Sequence, residues 1–166
     1  MLPWSRRLPR LSILTFTYFF TFCGALSVQV STFASLTAAI DGGTYDAIDV
    51  IGDVAFSSTI TISGRNIAIS SSTGAQLSGS GSRRLFQILS GSMVNFTGLT
   101  MTEGYVSYSA NTGGGCMYVS YSTLHLADVA FSSSTVPSSS LAGGCIRADY
   151  SVLTGRHSLI FRLFCG

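Results

Sequence analysis

Apolar and polar residues alternate over two segments of this chain that follow one plan. Segments 92–101 and 122–131 are related by a constant offset, which carries Val94 onto Leu124 and Phe96 onto Leu126. The corresponding apolar positions are Val94, Phe96, Leu99 and Met101 in the first segment and Leu124, Leu126, Val129 and Phe131 in the second. Alternation with a period of two is typical of a β-strand, and Gly98 or Asp128 interrupts it once. Each segment therefore predicts two short strands that meet at a corner.

Repetition of this plan at a fixed interval, about 30 residues, predicts a solenoid. Three short strands in each coil would stack in parallel on the strands of the next coil, about 4.8 Å away. Inward residues then lie on their counterparts, so that no coil buries its apolar side chains alone. We therefore expect an all-β fold, a right-handed single-stranded parallel β-helix of about three to four coils. This domain would span residues 26–153.

Earlier parts of the chain carry the same pattern less regularly. Four isoleucines align with the apolar positions of segment 92–101 if two residues are added at the corner: Ile60, Ile62, Ile67 and Ile69. Residues 70–84 form a connection rich in Ser and Gly, in which Leu77 is expected to point inward. Phe86 then aligns with Cys116 at the same offset that relates Val94 to Leu124. These alignments extend the predicted solenoid towards the N-terminus.

A short helix is predicted ahead of the coils. Phe33, Leu36 and Ile40 recur at helical spacing, Ser31 or Thr32 can serve as the N-cap, and paired glycines end the run. We expect this amphipathic helix near residues 32–41. It would cover the open end of the β-stack, which otherwise exposes unpaired backbone groups and an apolar interior.

Residues 1–25 have the layout of a secretory signal peptide. The first ten residues contain three arginines, residues 11–23 are apolar or hydroxylated, and Cys23, Gly24 and Ala25 offer the small residues that a signal peptidase recognises. Cleavage after Ala25 would release a secreted or cell-surface protein. The alternative is a membrane anchor that stays uncleaved, although its apolar run is shorter than the roughly 20 residues that span a bilayer.

The pattern breaks after residue 153. Leu153 matches Leu124, but Gly155 falls where Leu126 stands, and the apolar residues beyond it are out of phase. We therefore predict that residues 154–166 form an out-of-phase tail, poorly ordered or left by truncation of the stack.

Charge argues against a nucleic-acid partner. Charged residues make up 10% of the chain, and all nine basic residues are Arg. Without the three arginines of the signal segment, six Arg face seven acidic residues, a net charge of −1. Such a surface has no basic face for nucleic acid or anionic lipid.

The acidic residues do not form a ladder on one face of adjacent coils. Glycosidases and Ca²⁺-dependent lyases need clustered carboxylates, so we assign no catalytic residue, no metal site and no cofactor. Arg147 and Asp149 share one strand face and could form a site only if strand twist brought them to His125. The alternative for His125 is a solvated position between two inward leucines.

Two further sites, a pair of cysteines and one asparagine, are candidates for covalent modification. Cys116 and Cys145 occupy equivalent places on neighbouring coils, where they could form a disulfide or stack as buried thiols. In-register parallel strands aim their side chains in the same direction, which favours stacked thiols. Asn95 begins an Asn-Phe-Thr triplet at an outward position and is a candidate for glycosylation in a eukaryotic secretory pathway.

The glycine signatures of this chain resemble those of a known family. Gly114-Gly115-Cys116-Met117 recurs as Gly143-Gly144-Cys145-Ile146, each about 15 residues before a strand that ends in Phe or Met. Over residues 29–152 the chain resembles the polymorphic outer membrane protein repeat, a family of the pectin-lyase-like right-handed β-helices. The Phe-x-x-Asn signature of that family reads Phe131-Ser132-Ser133-Ser134 here, with Ser134 where Asn is usual, and Met101-Thr102-Glu103-Gly104 in the preceding coil. The resemblance implies secretion or surface display, with adhesion or polysaccharide processing.

Pattern and resemblance together predict a non-catalytic scaffold, secreted or held at the cell surface. We expect it to bind polysaccharide or surface proteins along its flat faces, with loops 107–113 and 132–142 giving specificity. Membrane contact is expected only through an uncleaved N-terminal segment or an outer-membrane context of the family. The alternative is a truncated carbohydrate-active enzyme, similar to pectate lyase or polygalacturonase, that lacks its catalytic coils.

Overall fold

The computed structural model describes residues 26–107, 113–136 and 144–160. Over these ranges the chain forms one α-helix and a succession of short strands. Their bounds are β1 Ser27–Val30, α1 Phe33–Asp41, β2 Ala47–Val50, β3 Val54–Ala55, β4 Ile60–Ser63, β5 Asn66–Ser70, β6 Gln76–Arg83, β7 Phe86–Leu89, β8 Met93–Thr97, β9 Thr100–Gly104, β10 Met117–Ser120, β11 Thr123–Ala127, β12 Ala130–Ser132, β13 Ile146–Asp149, β14 Val152–Arg156 and β15 Leu159–Ile160.

The strands form three parallel sheets that enclose one core. The six-stranded sheet has the order β1-β2-β5-β8-β11-β14, the five-stranded sheet β15-β12-β9-β6-β3, and the four-stranded sheet β13-β10-β7-β4. From β2 onward the chain visits the six-, five- and four-stranded sheets in turn. This winding is a parallel β-helix, which confirms the predicted all-β solenoid.

Like stacks on like in the core, at the register that the sequence predicts. Val94 is paired with Leu124 and Phe96 with Leu126 between β8 and β11. All four side chains are buried, and Phe96 is fully so. The Phe96 ring also lies 4.9 Å from the ring of Phe86, centroid to centroid. Each coil therefore supplies the surface on which the next coil buries its apolar residues.

The predicted corners at Gly98 and Asp128 are confirmed. Both residues have left-handed backbone, with φ of 66° and 53°. Asn and Asp tolerate this conformation better than other non-glycine residues, and glycine adopts it freely. At Gly98 a side chain would also collide, because a Cβ would lie 2.9 Å from the carbonyl oxygen of Ser71.

Helix α1 covers the N-terminal end of the core, as predicted. Thr32 is the N-cap and forms a capping box with Ser35, while Leu36 and Ile40 are buried. The guanidinium of Arg65 donates to the carbonyl oxygen of Ile40 in the last turn of the helix. Capping and apolar burial together fix the helix on the first coil.

The alignment of the four isoleucines is wrong. Ile67 is paired with Val94 in the six-stranded sheet, whereas Ile60 is paired with Phe86 in the four-stranded sheet. The circuit from Ile67 to Val94 is shorter than the following circuit from Val94 to Leu124. Strands of all three sheets alternate in the same way, so the pattern alone does not indicate which sheet a strand enters.

The predicted alignment of Phe86 with Cys116 is wrong by one residue. Phe86 is paired with Met117 between β7 and β10. Leu85 and Phe86 are consecutive and both fully buried, and both amides donate to the carbonyl oxygen of Cys116 at 3.0 Å. Because two inward residues follow each other here, the alternation of inward and outward positions is interrupted. The offset between paired residues of adjacent coils is therefore one residue larger than predicted.

Two segments predicted to lie outside the strands belong to the stack. Residues 70–84 contain β6, in which Leu77 is fully buried as expected. Beyond residue 153, β14 places Gly155 beside Leu126, and β15 places Ile160 beside Phe131. The prediction of an out-of-phase tail is therefore wrong for residues 154–160. Residues of β14 and of β15 are paired with residues of the preceding coil at the same sequence offset. Residues 161–166 lie outside the described part.

The predicted signal segment, residues 1–25, also lies outside the described residues. In the part of the chain that the structure describes, no helix has the length and apolar character needed to cross a membrane.

Candidate functional site

Two tyrosines form an exposed, stacked pair at one corner of the solenoid. Tyr121 and Tyr150 directly precede the segments that lead into β11 and β14, so they occupy the same corner of adjacent coils. Their ring centroids lie 5.0 Å apart and their planes differ by 9°. Tyr121 is 64% exposed and Tyr150 82% exposed. Aromatic area of this size left in water marks a surface suited to contact with a ligand.

Backbone conformation fixes both rings in the same direction. Tyr121 and Tyr150 have φ of 49° and 50°, in the left-handed region. The serine after each tyrosine donates its hydroxyl to the carbonyl two residues earlier, at 2.9 Å from Ser122 and 2.8 Å from Ser151. Identical corners in register leave the two side chains one above the other, and we call them the tyrosine pair.

The preceding coil has no aromatic side chain at this corner, where Ser90 and Gly91 stand. Ser90 follows β7 as Tyr121 follows β10, and it has the same left-handed backbone, with φ of 58°. The amide of the next residue, Gly91, donates to the carbonyl oxygen of Tyr121 at 2.7 Å. A Cβ added to Gly91 would meet no atom within 4 Å. Tyr150 covers one face of the Tyr121 ring, and open space adjoins Gly91 on the opposite side. The exposed side chains of Met93 and Val152 extend the apolar surface beside the pair.

A groove of about 460 Å³ lies on the outer face of the six-stranded sheet, further along the strands than the tyrosine pair. Strands β8, β11 and β14 supply its polar lining, which comprises Asn95, Thr97, His125, Thr154 and Arg156. The register aligns Asn95, His125 and Thr154 in one row across the three strands. Nδ1 of His125 contacts the hydroxyl of Thr154, so the ring lies along the sheet surface.

The groove offers mostly neutral hydrogen-bonding groups. Amide and hydroxyl side chains both donate and accept, and Arg156 adds one guanidinium. None of the seven acidic residues lines the groove. This chemistry suits a ligand that is rich in hydroxyl groups. His125 is half-buried at the outward position that the sequence predicts.

Arg147 and Asp149 do not reach His125. They lie on β13 in the four-stranded sheet, whereas His125 lies on β11 in the six-stranded sheet. Their salt bridge is 2.9 Å long, and the hydroxyl of Tyr118 donates to Asp149 at 3.2 Å. The hydrogen bond from Arg147 lowers the pKa of the Asp149 carboxyl. The pair therefore fastens β13 to β10 on the outer face.

The other described carboxylates do not cluster, and two of them, Asp49 and Asp53, accept hydrogen bonds from backbone amides. Asp49 accepts hydrogen bonds from the amide and hydroxyl of Ser72 at 2.9 and 2.8 Å. Asp128 lies 3.7 Å from Nδ1 of His157 at an exposed corner. Over the described ranges, no group of three His, Cys, Asp or Glu residues is placed to hold a metal ion.

The structure places the two cysteines in the core and Asn95 on the surface. Cys116 and Cys145 are fully buried on adjacent coils, and the structure holds both as thiols. Sγ of Cys116 lies 2.8 Å from the hydroxyl oxygen of Ser134. Asn95 is exposed, as the sequence predicts, and it lines the groove. A glycan on Asn95 would therefore occupy part of the groove.

Sequence analysis overlooked the tyrosine pair. The alternation of apolar and polar residues describes the strands alone, and Tyr121 and Tyr150 lie between strands. A signal was nevertheless present, because Tyr121-Ser122 recurs as Tyr150-Ser151 one coil later, at the offset that also relates Cys116 to Cys145. The predicted specificity loops are only partly described, since residues 108–112 and 137–143 lie outside the described ranges.

Comparison of the chain with protein-family models, with curated proteins and with solved structures gives no match.

Proposed function

We propose that this chain is a secreted or cell-surface β-helix scaffold, without catalytic activity, that binds glycans through the tyrosine pair and the adjoining groove. The observation that carries the proposal is the exposed, parallel stack of Tyr121 and Tyr150. It stands at the edge of a face whose groove offers amide, hydroxyl, imidazole and guanidinium groups.

The chemistry of a sugar matches both parts of this surface. One face of a pyranose ring presents C–H groups, which pack on an aromatic ring, while its hydroxyl groups need donors and acceptors. Tyr121 can supply the ring beside the open space at Gly91. Asn95, His125 and Thr154 then supply a row of polar groups across the sheet. A glycan chain running along the strand direction, from the corner onto the sheet, would contact both.

Export is supported by the sequence of residues 1–25, with its arginines, apolar stretch and small residues before position 26. We also propose that the chain belongs with the polymorphic outer membrane protein repeats, on the paired glycines before Cys116 and Cys145. Surface display would place the flat outer faces of the solenoid in contact with extracellular glycans.

The binding proposal is tested on a glycan array with the full chain, expressed with its own N-terminal segment and purified from the medium. Tyr121→Ala should weaken binding of the best glycan about tenfold or more, because it removes the stacking surface. Tyr121→Phe keeps the ring and should bind nearly as well as the wild type. Gln87→Ala, on the outer face of the four-stranded sheet, is the matched control and should bind normally.

Two outcomes would refute this function. The array could bind no glycan at all, or Tyr121→Ala and Gln87→Ala could weaken binding equally. Capture of a protein ligand that tolerates enzymatic removal of its glycans, and that Tyr121→Ala abolishes, would assign the tyrosine pair to protein binding instead.

Export is tested on the same material. N-terminal sequencing of the secreted chain should begin at Leu26. A chain retained in the cell with residues 1–25 intact would refute cleavage and would favour the uncleaved anchor.

A further inference from the structure

A second pocket lies on another corner of the solenoid, away from the tyrosine pair. It has a volume of about 400 Å³, within the rough range of 300–1,000 Å³ that is usual for small-ligand sites. Its lining comes from three consecutive coils at the corner that leads into the four-stranded sheet. Thr59 precedes β4, Arg83 and Arg84 precede β7, and Tyr105 follows β9.

Arg84 places a positive charge in the wall of this pocket. The residue is 9% exposed, and its Nε and Nη2 atoms donate to the carbonyl oxygens of Gly114 and Gly113 at 3.0 Å each. Its guanidinium carbon lies 5.4 Å from the ring centroid of Tyr118. Burial lowers the pKa of Arg84, and the charge of Arg147 lowers it further. A charge removed from water in this way is stabilised by an anion bound beside it.

Arg83 presents hydrogen-bond donors at the exposed side of the pocket. Its Nε donates to the carbonyl oxygen of Ser57 at 3.0 Å, and Nη1 lies 3.4 Å from the carbonyl oxygen of Ser82. Within the described residues Nη2 has no protein acceptor. A guanidinium whose Nε and Nη1 atoms face carbonyl oxygens keeps Nη2 as a donor for an oxyanion.

Tyr105 supplies a further donor. It is half-buried, and its amide donates to the carbonyl oxygen of Arg83 at 2.8 Å, which ties the two residues together. Its hydroxyl makes no hydrogen bond to any residue in the described ranges. The pocket thus combines a phenol with two adjacent guanidinium groups.

Carboxylates on this side of the molecule already have partners. Asp149 accepts from Arg147 and Tyr118, and Glu103 accepts from the hydroxyl of Ser78 at 2.7 Å. Three guanidinium groups, those of Arg83, Arg84 and Arg147, therefore stand on this side of the molecule with two carboxylates, both of which have hydrogen-bond partners. Although the mature chain carries a net charge close to zero, its local charge here is positive.

We propose that this pocket binds an oxyanion, the carboxylate or sulfate group of a small ligand. Nη2 of Arg83 donates to the oxyanion, the hydroxyl of Tyr105 donates to another of its oxygens, and Arg84 provides the fixed positive charge behind them. The hydroxyls of Thr59 and Ser82 line the same space. This site depends on residues that the glycan-binding groove does not share, so either site can fail without the other.

The experiment is a set of NMR titrations of the ¹⁵N-labelled full chain, following the amide of Tyr105. Four probes are compared: three anions, which are inorganic sulfate, glucuronate and glucose 6-sulfate, and one neutral sugar, glucose. The three anions should shift the Tyr105 amide saturably, and glucose should not. Tighter binding of the two sugar anions than of inorganic sulfate would identify the natural ligand as an anionic sugar, and equal binding would identify a simple oxyanion.

Variants separate a specific site from a general effect of charge. Arg83→Gln should weaken anion binding about tenfold, and Tyr105→Phe, which removes only the hydroxyl, about fivefold. Ala34→Glu, on the exposed side of α1, lowers the net charge by the same amount as Arg83→Gln and should leave the affinity unchanged.

Three results would overturn the proposal. No anion could produce a saturable shift, or neutral glucose could bind as tightly as glucuronate. Alternatively, Ala34→Glu could weaken binding as much as Arg83→Gln. Amide spectra of each variant without ligand confirm that the fold is retained, and Tyr105→Phe preserves the packing of the ring if Arg83→Gln does not fold.

Discussion

Cys116 and Cys145 lie side by side on adjacent coils and are joined by a backbone hydrogen bond. The amide of Cys116 donates to the carbonyl oxygen of Cys145 at 2.9 Å, and both side chains are fully buried. The hydrogen bond with Cys145, reinforced by burial, raises the pKa of the Cys116 thiol. A buried thiol of raised pKa is inert, so Cys116 fills the core as a small apolar side chain. The same hydrogen bond lowers the pKa of Cys145 to about 6, and the full burial of this residue keeps its sulfur away from reagents in solution.

We therefore predict that both cysteines resist alkylation in the folded chain. Iodoacetamide at pH 8 should modify neither residue natively and both in 6 M guanidinium chloride without added reductant, as read by peptide mass spectrometry. If the denatured chain needs reductant before Cys116 and Cys145 react, they form a disulfide and the stacked-thiol prediction is wrong.

Asp49 joins three strands of the six-stranded sheet on its outer side. It accepts from Ser72, after β5, and from the amide of Gln29 in β1 at 3.2 Å. Hydrogen bonding by the backbone and side chain of Ser72 lowers the pKa of the Asp49 carboxyl below its usual 3.8. The stabilisation is present above the pKa of the unfolded chain, about 3.8, and is lost as pH falls through the lower pKa of the folded chain.

Asp49→Asn should accordingly be less stable than the wild type at pH 7, and the gap should close on acidification. Urea unfolding at pH 7, 4 and 3 measures both chains. Asp149, whose pKa is also lowered, is present in both and cancels in the comparison. A gap that stays constant from pH 7 to pH 3 would show that the charge of Asp49 contributes nothing.

At the scale of the coil, stacked aromatic and aliphatic side chains hold neighbouring strands together. Phe96 is fully buried, and its neighbours across the sheet are Ile69 on β5 and Leu126 on β11. Removal of the ring leaves a cavity between coils that relax little, because each is fixed by hydrogen bonds to the next.

Phe96→Ala should destabilise the fold by about 3–5 kcal/mol. Asn95→Ala, the exposed neighbour on the same strand, should change stability by less than about 0.5 kcal/mol. Chemical unfolding followed by far-ultraviolet circular dichroism measures both. Equal losses for the two variants would contradict the alternation of inward and outward residues along β8.

Helix α1 depends on its cap, since nine residues are too few for a helix to be stable alone. Thr32→Ala removes the side-chain acceptor for the amide of Ser35 and should cost about 1 kcal/mol. Ser31→Ala, one residue outside the cap, should cost little. If both variants unfold at the same denaturant concentration as the wild type, the capping box does not stabilise the end of the stack.

For the whole molecule, the sequence predicts architecture better than register. Val94 and Phe96 stand at equal distances along the chain from Leu124 and Leu126, and this equality of spacing is enough to predict parallel stacking. Where circuits differ in length, as between Ile67 and Val94, alternation alone does not select the sheet. At an irregular corner, such as the one at Leu85 and Phe86, the offset between paired residues of adjacent coils changes by one.

The candidate site was harder to predict than the fold. The outward positions of Asn95 and His125 follow from alternation with their inward neighbours. The tyrosine pair does not, because it exists only when the corners of two successive coils share one backbone conformation. Arg83 and Tyr105 likewise meet through the winding of the coil, which brings together residues of no common motif.

The most direct test of the account is the register of β8 on β11, from which the tyrosine pair, the groove and the core all follow. In-register parallel neighbours have Cα atoms about 4.8 Å apart, within disulfide range, whereas positions two residues out of register lie beyond about 7 Å. The account predicts that the double variant Asn95→Cys with His125→Cys reacts with dibromomethane to give an intramolecular one-carbon bridge, which suits two thiols aimed in the same direction and is detected by peptide mass spectrometry. It also predicts that Asn95→Cys with Ala127→Cys does not. Cross-linking of the second pair in preference to the first would contradict the stacked coils and every site built on them.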